Sequence, residues 1–166
     1  MVTSEPKLPQ ELPLGYSLRL GSGLDQALLL KFLSRTYREV DPAGSSAHLA
    51  QTVAEHFSGE TPLWWVECAQ DGRSLPVACL WMGTAIDQRQ GDRHTYIFLL
   101  YVIPEHRRQG IGTVLMQQAE TWAKARGDRQ ISLQVFQANQ PAVDLYQKLG
   151  FATQSLLMVK PLRITD

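Results

Sequence analysis

Between Tyr96 and Arg126 an apolar run gives way to Pro104-Glu105-His106-Arg107-Arg108-Gln109-Gly110-Ile111-Gly112 and then to a strongly amphipathic stretch; no other part of the chain constrains its fold as much. Ile111, Val114, Leu115, Ala119, Trp122 and Ala123 recur at helical spacing and share one face, while Lys124, Arg126 and Gly127 suit the end of a helix. A strand therefore runs into a glycine-opened helix. The start of such a helix carries unpaired N–H groups and the positive end of the dipole, and Gly110 and Gly112 have no side chain to hold an anion away. On its own a Gly-x-Gly only shapes a turn. Arg107 and Arg108 shift the reading toward an anion site, because they place cationic donors beside it. Other phosphate motifs fit less well: no lysine follows the loop as a P-loop requires, and the stretch Gly110 to Leu115 lacks the third glycine of a dinucleotide fingerprint.

The remaining chain has room for one well-filled core at 166 residues with 44% hydrophobic content. A polar, proline-containing opening reads as a tail over 1–14, followed by one domain over 15–166. Tyr16 to Leu20 alternates like a strand, and Gly21, Ser22 and Gly23 turn the chain into a helix over Asp25 to Glu39 that Asp41-Pro42 stops. A second helical pattern spans Ser46 to Phe57. Strand-like runs follow at Leu63 to Ala69, Val77 to Asp87 and His94 to Ile103, separated by Asp71-Gly72 and Gly91-Asp92, which predicts an antiparallel meander. Beyond it come a helix over Gly112 to Arg126, a strand over Gln130 to Phe136, a helix over Pro141 to Leu149 and an extended Phe151 to Lys160. The fold class expected is α/β: a mixed sheet in which the meander joins βαβ-type crossovers, with helices on both faces.

Lysine plus arginine and aspartate plus glutamate each total 16, so no global field favours nucleic acid or an anionic membrane surface. Cys68 and Cys79 lack the spacing of a zinc site or a redox motif and read as reduced core thiols, and His48 and His56 lie too far apart for a metal pair, so no metal is expected. No signal peptide or apolar membrane-spanning run is apparent, which makes a cytoplasmic protein the expectation.

Arg107-x-x-Gly110-x-Gly112 resembles the acyl-CoA-binding signature of the GNAT superfamily of N-acetyltransferases. A second stretch, Asn139-Gln140-Pro141-Ala142-Val143-Asp144-Leu145-Tyr146-Gln147-Lys148-Leu149-Gly150-Phe151, is similar to that family's later pattern. The two signatures cover roughly Tyr96 to Lys160, while the amino-terminal half has no distinctive match.

The resemblance implies an enzyme that moves an acetyl group from acetyl-CoA to a primary amine, on a small molecule, a protein N-terminus or a lysine, by direct attack in a ternary complex. It implies that the backbone of Tyr101, Val102 and Ile103 pairs with the pantetheine amides. The amides of Arg108, Gln109, Gly110, Ile111, Gly112 and Thr113 would hold the diphosphate, with the Arg107 and Arg108 side chains strengthening the grip. Asn139 would bond the pantetheine arm, or cap its helix, or both. Tyr146 would give a proton or hydrogen bond to the departing thiolate; packing of its ring on the buried helix face is the competing reading. Members often carry a glutamate where Phe98 stands, so the base is unassigned, and a noncatalytic acyl-CoA-binding regulatory module is the alternative. A homodimer would be unsurprising in this family, although no residue demonstrates one.

Overall fold

The computed structural model describes residues 11–162. Residues 1–10, most of the expected tail, lie outside that range; of the rest of the tail, Leu12 is half-buried against the core. Strand β1 (Tyr16–Leu20) leads into a short 3-10 turn whose start is fixed twice over. The Ser22 hydroxyl accepts from the Leu24 amide at 3.3 Å, and the Asp25 carboxylate accepts from the Ser22 amide at 2.7 Å, a capping box that aims the chain into α1 (Gln26–Val40). Helix α2 (Leu49–His56) follows. Strands β2 (Leu63–Gln70), β3 (Arg73–Ile86) and β4 (Arg93–Val102) complete an antiparallel meander with β1. Helix α3 (Ile111–Ala125) then carries the chain to β5 (Ile131–Leu133), parallel to β4, and α4 (Gln140–Lys148) closes the ordered elements. The sheet order is β1-β2-β3-β4-β5.

Strand β3 is apolar on both faces from Val77 to Gly83 because it serves two cores. Cys79 and Trp81 pack with Leu29, Phe32 and Leu33 of α1 and with Leu49 and Val53 of α2; Ala78, Leu80 and Met82 pack with Ile111, Leu115, Met116 and Ala119 of α3. Helices therefore cover both faces, as the alternation of patterns predicts.

A bulge decides where the sheet opens. Trp81 pairs with Leu99 but the next residue, Met82, pairs with Ile97, so Phe98 has no partner on β3. Strand β5 follows β4 only along Thr95, Tyr96 and Ile97. From Phe98 onward the β5-facing edge of β4 is unpaired. This corrects the strand expected over Gln130 to Phe136: it stops at Leu133, because the bent β4 offers no ladder beyond that point, and Val135 and Phe136 are exposed. The expected extended Phe151 to Lys160 likewise joins no strand among the described residues. Among the described residues the crossover β4-α3-β5 joins the meander, as expected of a mixed sheet.

Candidate active site

The loop between β4 and α3 is built as a cradle. Its 3-10 turn, Pro104–His106, is tied to β1 by a 2.7 Å hydrogen bond between the Tyr16 hydroxyl and His106 Nδ1. Arg108 (φ 63°) and Gly110 (φ 82°) both take left-handed backbone, cheap for Gly110 and strained for Arg108. The amides of Arg108, Gln109, Gly110, Ile111, Gly112 and Thr113 have no hydrogen-bond partner among the described residues, and no side chain caps the helix. Six amides at the positive end of a helix dipole fit a diphosphate. Gly112 has a second duty, since a Cβ there would lie 3.3 Å from Leu145 Cδ2 and push α4 away.

The Arg107 side chain turns from the cradle toward α1. Its Nη2 donates to both carboxylate oxygens of Glu39 at 3.0 and 2.7 Å, and its Nε donates to the Val102 carbonyl at 2.8 Å. Tyr101 completes this group: its hydroxyl donates to Glu39 at 2.6 Å, and the guanidinium lies 5.5 Å from its ring centre. Burial, and then the Glu39 hydrogen bond, push the Tyr101 phenol up to about 12. Arg108, exposed and without an ion-pair partner among the described residues, is the cation left beside the amides.

Of the three residues expected along the pantetheine edge, Tyr101 pairs with Cys79 and turns its backbone groups to β3, which leaves Leu100 facing the open edge. The Val102 carbonyl is taken by Arg107, and the Ile103 amide donates to Val77 at 2.8 Å. Asn139 stands at the N-cap of α4, half-buried, and its side chain makes no capping bond, so its amide is free for a ligand. Tyr146, on α4, is half-buried against the α3-side core with its ring 5.6 Å from that of Phe151 in edge contact. Burial pushes its phenol up to about 12. The Leu145–Gly112 contact brings Tyr146's helix to the cradle's rim.

Phe98, at the bulge, stacks on Trp81 at 4.6 Å and on the His56 ring at 5.3 Å, with Tyr96 in edge contact. A second aromatic group, Tyr37 with His48 and Phe136, joins α1 to the β5–α4 loop. Tyr37, Arg38, Glu39 and Asp41 read in the sequence either as the lining of a polar acceptor pocket or as a solvated helix end; the pairing of Glu39 with Arg107 and the meeting of these rings escape it, because residues far apart in the chain meet only in the fold. No group of three or more His, Cys, Asp or Glu able to hold a metal occurs among the described residues, and no helix there is long and apolar enough to cross a membrane.

Residues 28–151 match the pattern of one family, described as the acetyltransferase (GNAT) family. The chain belongs to that family. As a GNAT protein it is of the acetyl-CoA-dependent N-acetyltransferase class, with an amine as acceptor. It is similar to the aminoglycoside N(6′)-acetyltransferase type 1 of Klebsiella aerogenes, 27% identical over 116 residues covering 68% of this chain and 76% of that enzyme. The streptothricin acetyltransferase of Streptomyces lavendulae is 45% identical over 51 residues, 31% of this chain, and the match spans 27% of that enzyme's length. Among solved structures, one from Clostridium acetobutylicum, described as a predicted acetyltransferase with acetyl-CoA, shares the fold: TM-score 0.67 at 20% identity, covering 87% of this GNAT chain and 96% of that one.

Proposed function

We propose that this protein, through one domain over 15–166, transfers the acetyl group of acetyl-CoA to a primary amine on a small molecule, in the cytoplasm. The observation that carries the reading is the row of unpartnered amides from Arg108 to Thr113, opening onto the stretch of β4 that β5 leaves free. Those amides and the Arg108 guanidinium hold the diphosphate. Arg107 holds the loop to α1 through Glu39 and acts on the phosphates by position alone. The open edge of β4 at Leu100 takes the pantetheine amides, Val102 and Ile103 close the end of that slot, and the free side chain of Asn139 bonds the arm from the α4 side.

When bound, acetyl-CoA supplies a thioester carbonyl open to attack and a thiolate that must leave. Tyr146 serves the thiolate. With its phenol near 12 and an ordinary thiol near 8.5, complete proton transfer to sulfur is uphill by roughly 3 to 4 pKa units, about 5 kcal/mol. Its role is therefore to donate a hydrogen bond to the charge that builds on sulfur, and burial keeps it protonated for that task.

The acceptor enters between α1, α2 and the β5–α4 loop, where Tyr37, His48 and Phe136 form one aromatic wall and His56, Phe98 and Tyr96 another. Ring faces of this kind attract ammonium groups, and Glu39, 40% exposed, adds a negative charge nearby. Relatives named for streptothricin and for N(6′)-acetylation of aminoglycosides support an amino group on a small molecule over a protein terminus.

Phe98, where a carboxylate would serve as base, favours one other reading: a module that binds acetyl-CoA without turnover. A thiol-release screen across amines separates the two. The expected result is free CoA only when an acceptor is present; tight acetyl-CoA binding with no thiol released by any amine would establish the noncatalytic module instead.

A further inference from the structure

An amine that bonds to an acyl carbon is left with a positive nitrogen and one proton too many, so acetyl transfer calls for a proton acceptor where the thioester lies. The fold fixes that place. The slot along β4 begins at the cradle beyond Val102 and closes where β5 takes up the edge at Ile97. An arm that starts at the diphosphate and passes Leu100 therefore brings its thioester to the bulge at Phe98.

Most groups around the bulge are unable to take a proton. The Glu39 carboxylate is held by Arg107 through both oxygens and by the Tyr101 hydroxyl, which leaves it as a fixed counter-charge. Tyr96 and Tyr101 are phenols that burial keeps protonated. His94 is 5% exposed, its Nε2 lies 2.7 Å from the Ser132 hydroxyl, and its Nδ1 is buried without a partner, closed off from a substrate. His48 precedes α2 and meets Tyr37, two turns of helix or about 12 Å from the helix's other end.

His56 stands at that other end. It is the last residue of α2, it is exposed, and neither ring nitrogen has a hydrogen-bond partner among the described residues. Its ring stacks on that of Phe98, with centroids 5.3 Å apart and planes 30° from parallel, and Trp81 supports Phe98 in turn at 4.6 Å. Stacking holds the ring flat at the bulge, and both nitrogens, which lie in the ring plane, are left clear of the stack. We propose that His56 is the catalytic base of acetyl transfer, positioned by the Phe98 ring; this rests on the reading of the protein as an acetyltransferase. As the neutral amine forms its C–N bond, the imidazole lone pair takes the surplus proton from nitrogen. The C–S bond breaks with its electron pair on sulfur, beside Tyr146, and the exposed imidazolium releases its proton to water.

Thiol release by the full chain with neamine, spermidine and lysine as acceptors tests this. His56→Phe keeps an aromatic ring on Phe98 and removes the proton acceptor; it is expected to lower kcat by about 100-fold or more and to leave the KM for the acceptor within about twofold. His56→Ala is expected to lose as much and to regain rate in proportion to added imidazole, whereas His56→Phe, with the space filled, does not. Both variants are expected to keep the rise in melting midpoint that acetyl-CoA gives the wild type, because His56 lies outside the cradle. A His56→Phe enzyme with kcat within about threefold of wild type makes the ring a wall alone and overturns the proposal. So does a His56→Ala enzyme whose rate imidazole fails to raise. A wild type that releases no thiol with any of these acceptors, while acetyl-CoA still raises its midpoint, removes the acetyl-transfer reading itself and this base with it.

Discussion

Tyr146 carries the most consequence per atom, because the proposed reaction gives its hydroxyl the hydrogen bond to the departing thiolate. A hydrogen bond to a charged acceptor contributes about 1.5–3 kcal/mol, so Tyr146→Phe is expected to lower kcat roughly 10- to 100-fold and leave KM for acetyl-CoA within about twofold. Steady-state kinetics with the acceptor at saturation measures both. The raised phenol also fixes a pH signature: burial favours the neutral form, so the donor persists through ordinary alkaline pH and is lost only as pH rises through about 12. The profile of kcat/KM is expected to climb as the acceptor amine deprotonates and then stay level; a fall near pH 10 that disappears in the phenylalanine variant would show that Tyr146 titrates as an ordinary phenol. Tyr146, Asn139 and the glycines of the cradle stand in two short contiguous motifs, which is why the sequence alone offers them as candidates. The pairing of Glu39 with Arg107 is not legible there, since the two lie 68 positions apart and nothing local marks the pair.

Element boundaries follow the sequence wherever one element's own pattern decides them. The face Ile111, Val114, Leu115, Ala119 and Ala123 places α3 to within a residue, since that periodicity is what buries it. The end of β5 depends instead on a bulge in its neighbour, and no pattern within 130–136 reports where β4 bends. Gly83 belongs to that bend. A Cβ on it would collide with Phe98 Cε2, and Phe98 is held between Trp81 and His56. Gly83→Ala is therefore expected to cost about 1–3 kcal/mol in urea unfolding, and less when the same change is made in a Phe98→Ala background, where the obstructing ring is gone. At the other edge, Arg19 ties β1 to the turn before α1 and to β2, donating to Asp25 at 3.1 Å and to Glu67 at 2.6 Å. The Arg19 hydrogen bond holds the Asp25 carboxyl below its ordinary 3.8; for Glu67 burial works the other way, and hydrogen bonds from Ser74 and Arg19 overcome it. Lowered carboxylates stabilise the fold above their unfolded values and lose that contribution as pH falls through the folded ones. Arg19→Met is expected to cost about 1 kcal/mol at neutral pH and less at a pH low enough to protonate both carboxylates in the folded chain. An equal loss at both pH values would assign Arg19 to packing over Trp65 alone.

At the scale of the whole molecule, β3 is the shared wall of two cores that α1 and α2 build on one face and α3 builds on the other. The sheet's halves separate along the open edge of β4, and the Glu39–Arg107 pair bridges from α1 to the cradle across that opening. A ligand that spans cradle and slot would join the same parts, so its binding free energy appears as folding stability of the whole chain. At a hundred times its dissociation constant acetyl-CoA is expected to add about 2.7 kcal/mol, and for a chain of this size each kcal/mol raises the midpoint by roughly 2–4 °C, which gives a rise of about 5–10 °C in a thermal scan. The location of the effect separates this site from any other. Hydrogen exchange is expected to slow most at the Leu100 amide, on the unpaired edge, and at those of Arg108 to Thr113 in the cradle, and little at β2, paired on both sides. Stabilisation with protection concentrated at β1 or beside β5 would place the diphosphate elsewhere and remove the basis for the roles given to Arg108, Asn139 and Tyr146.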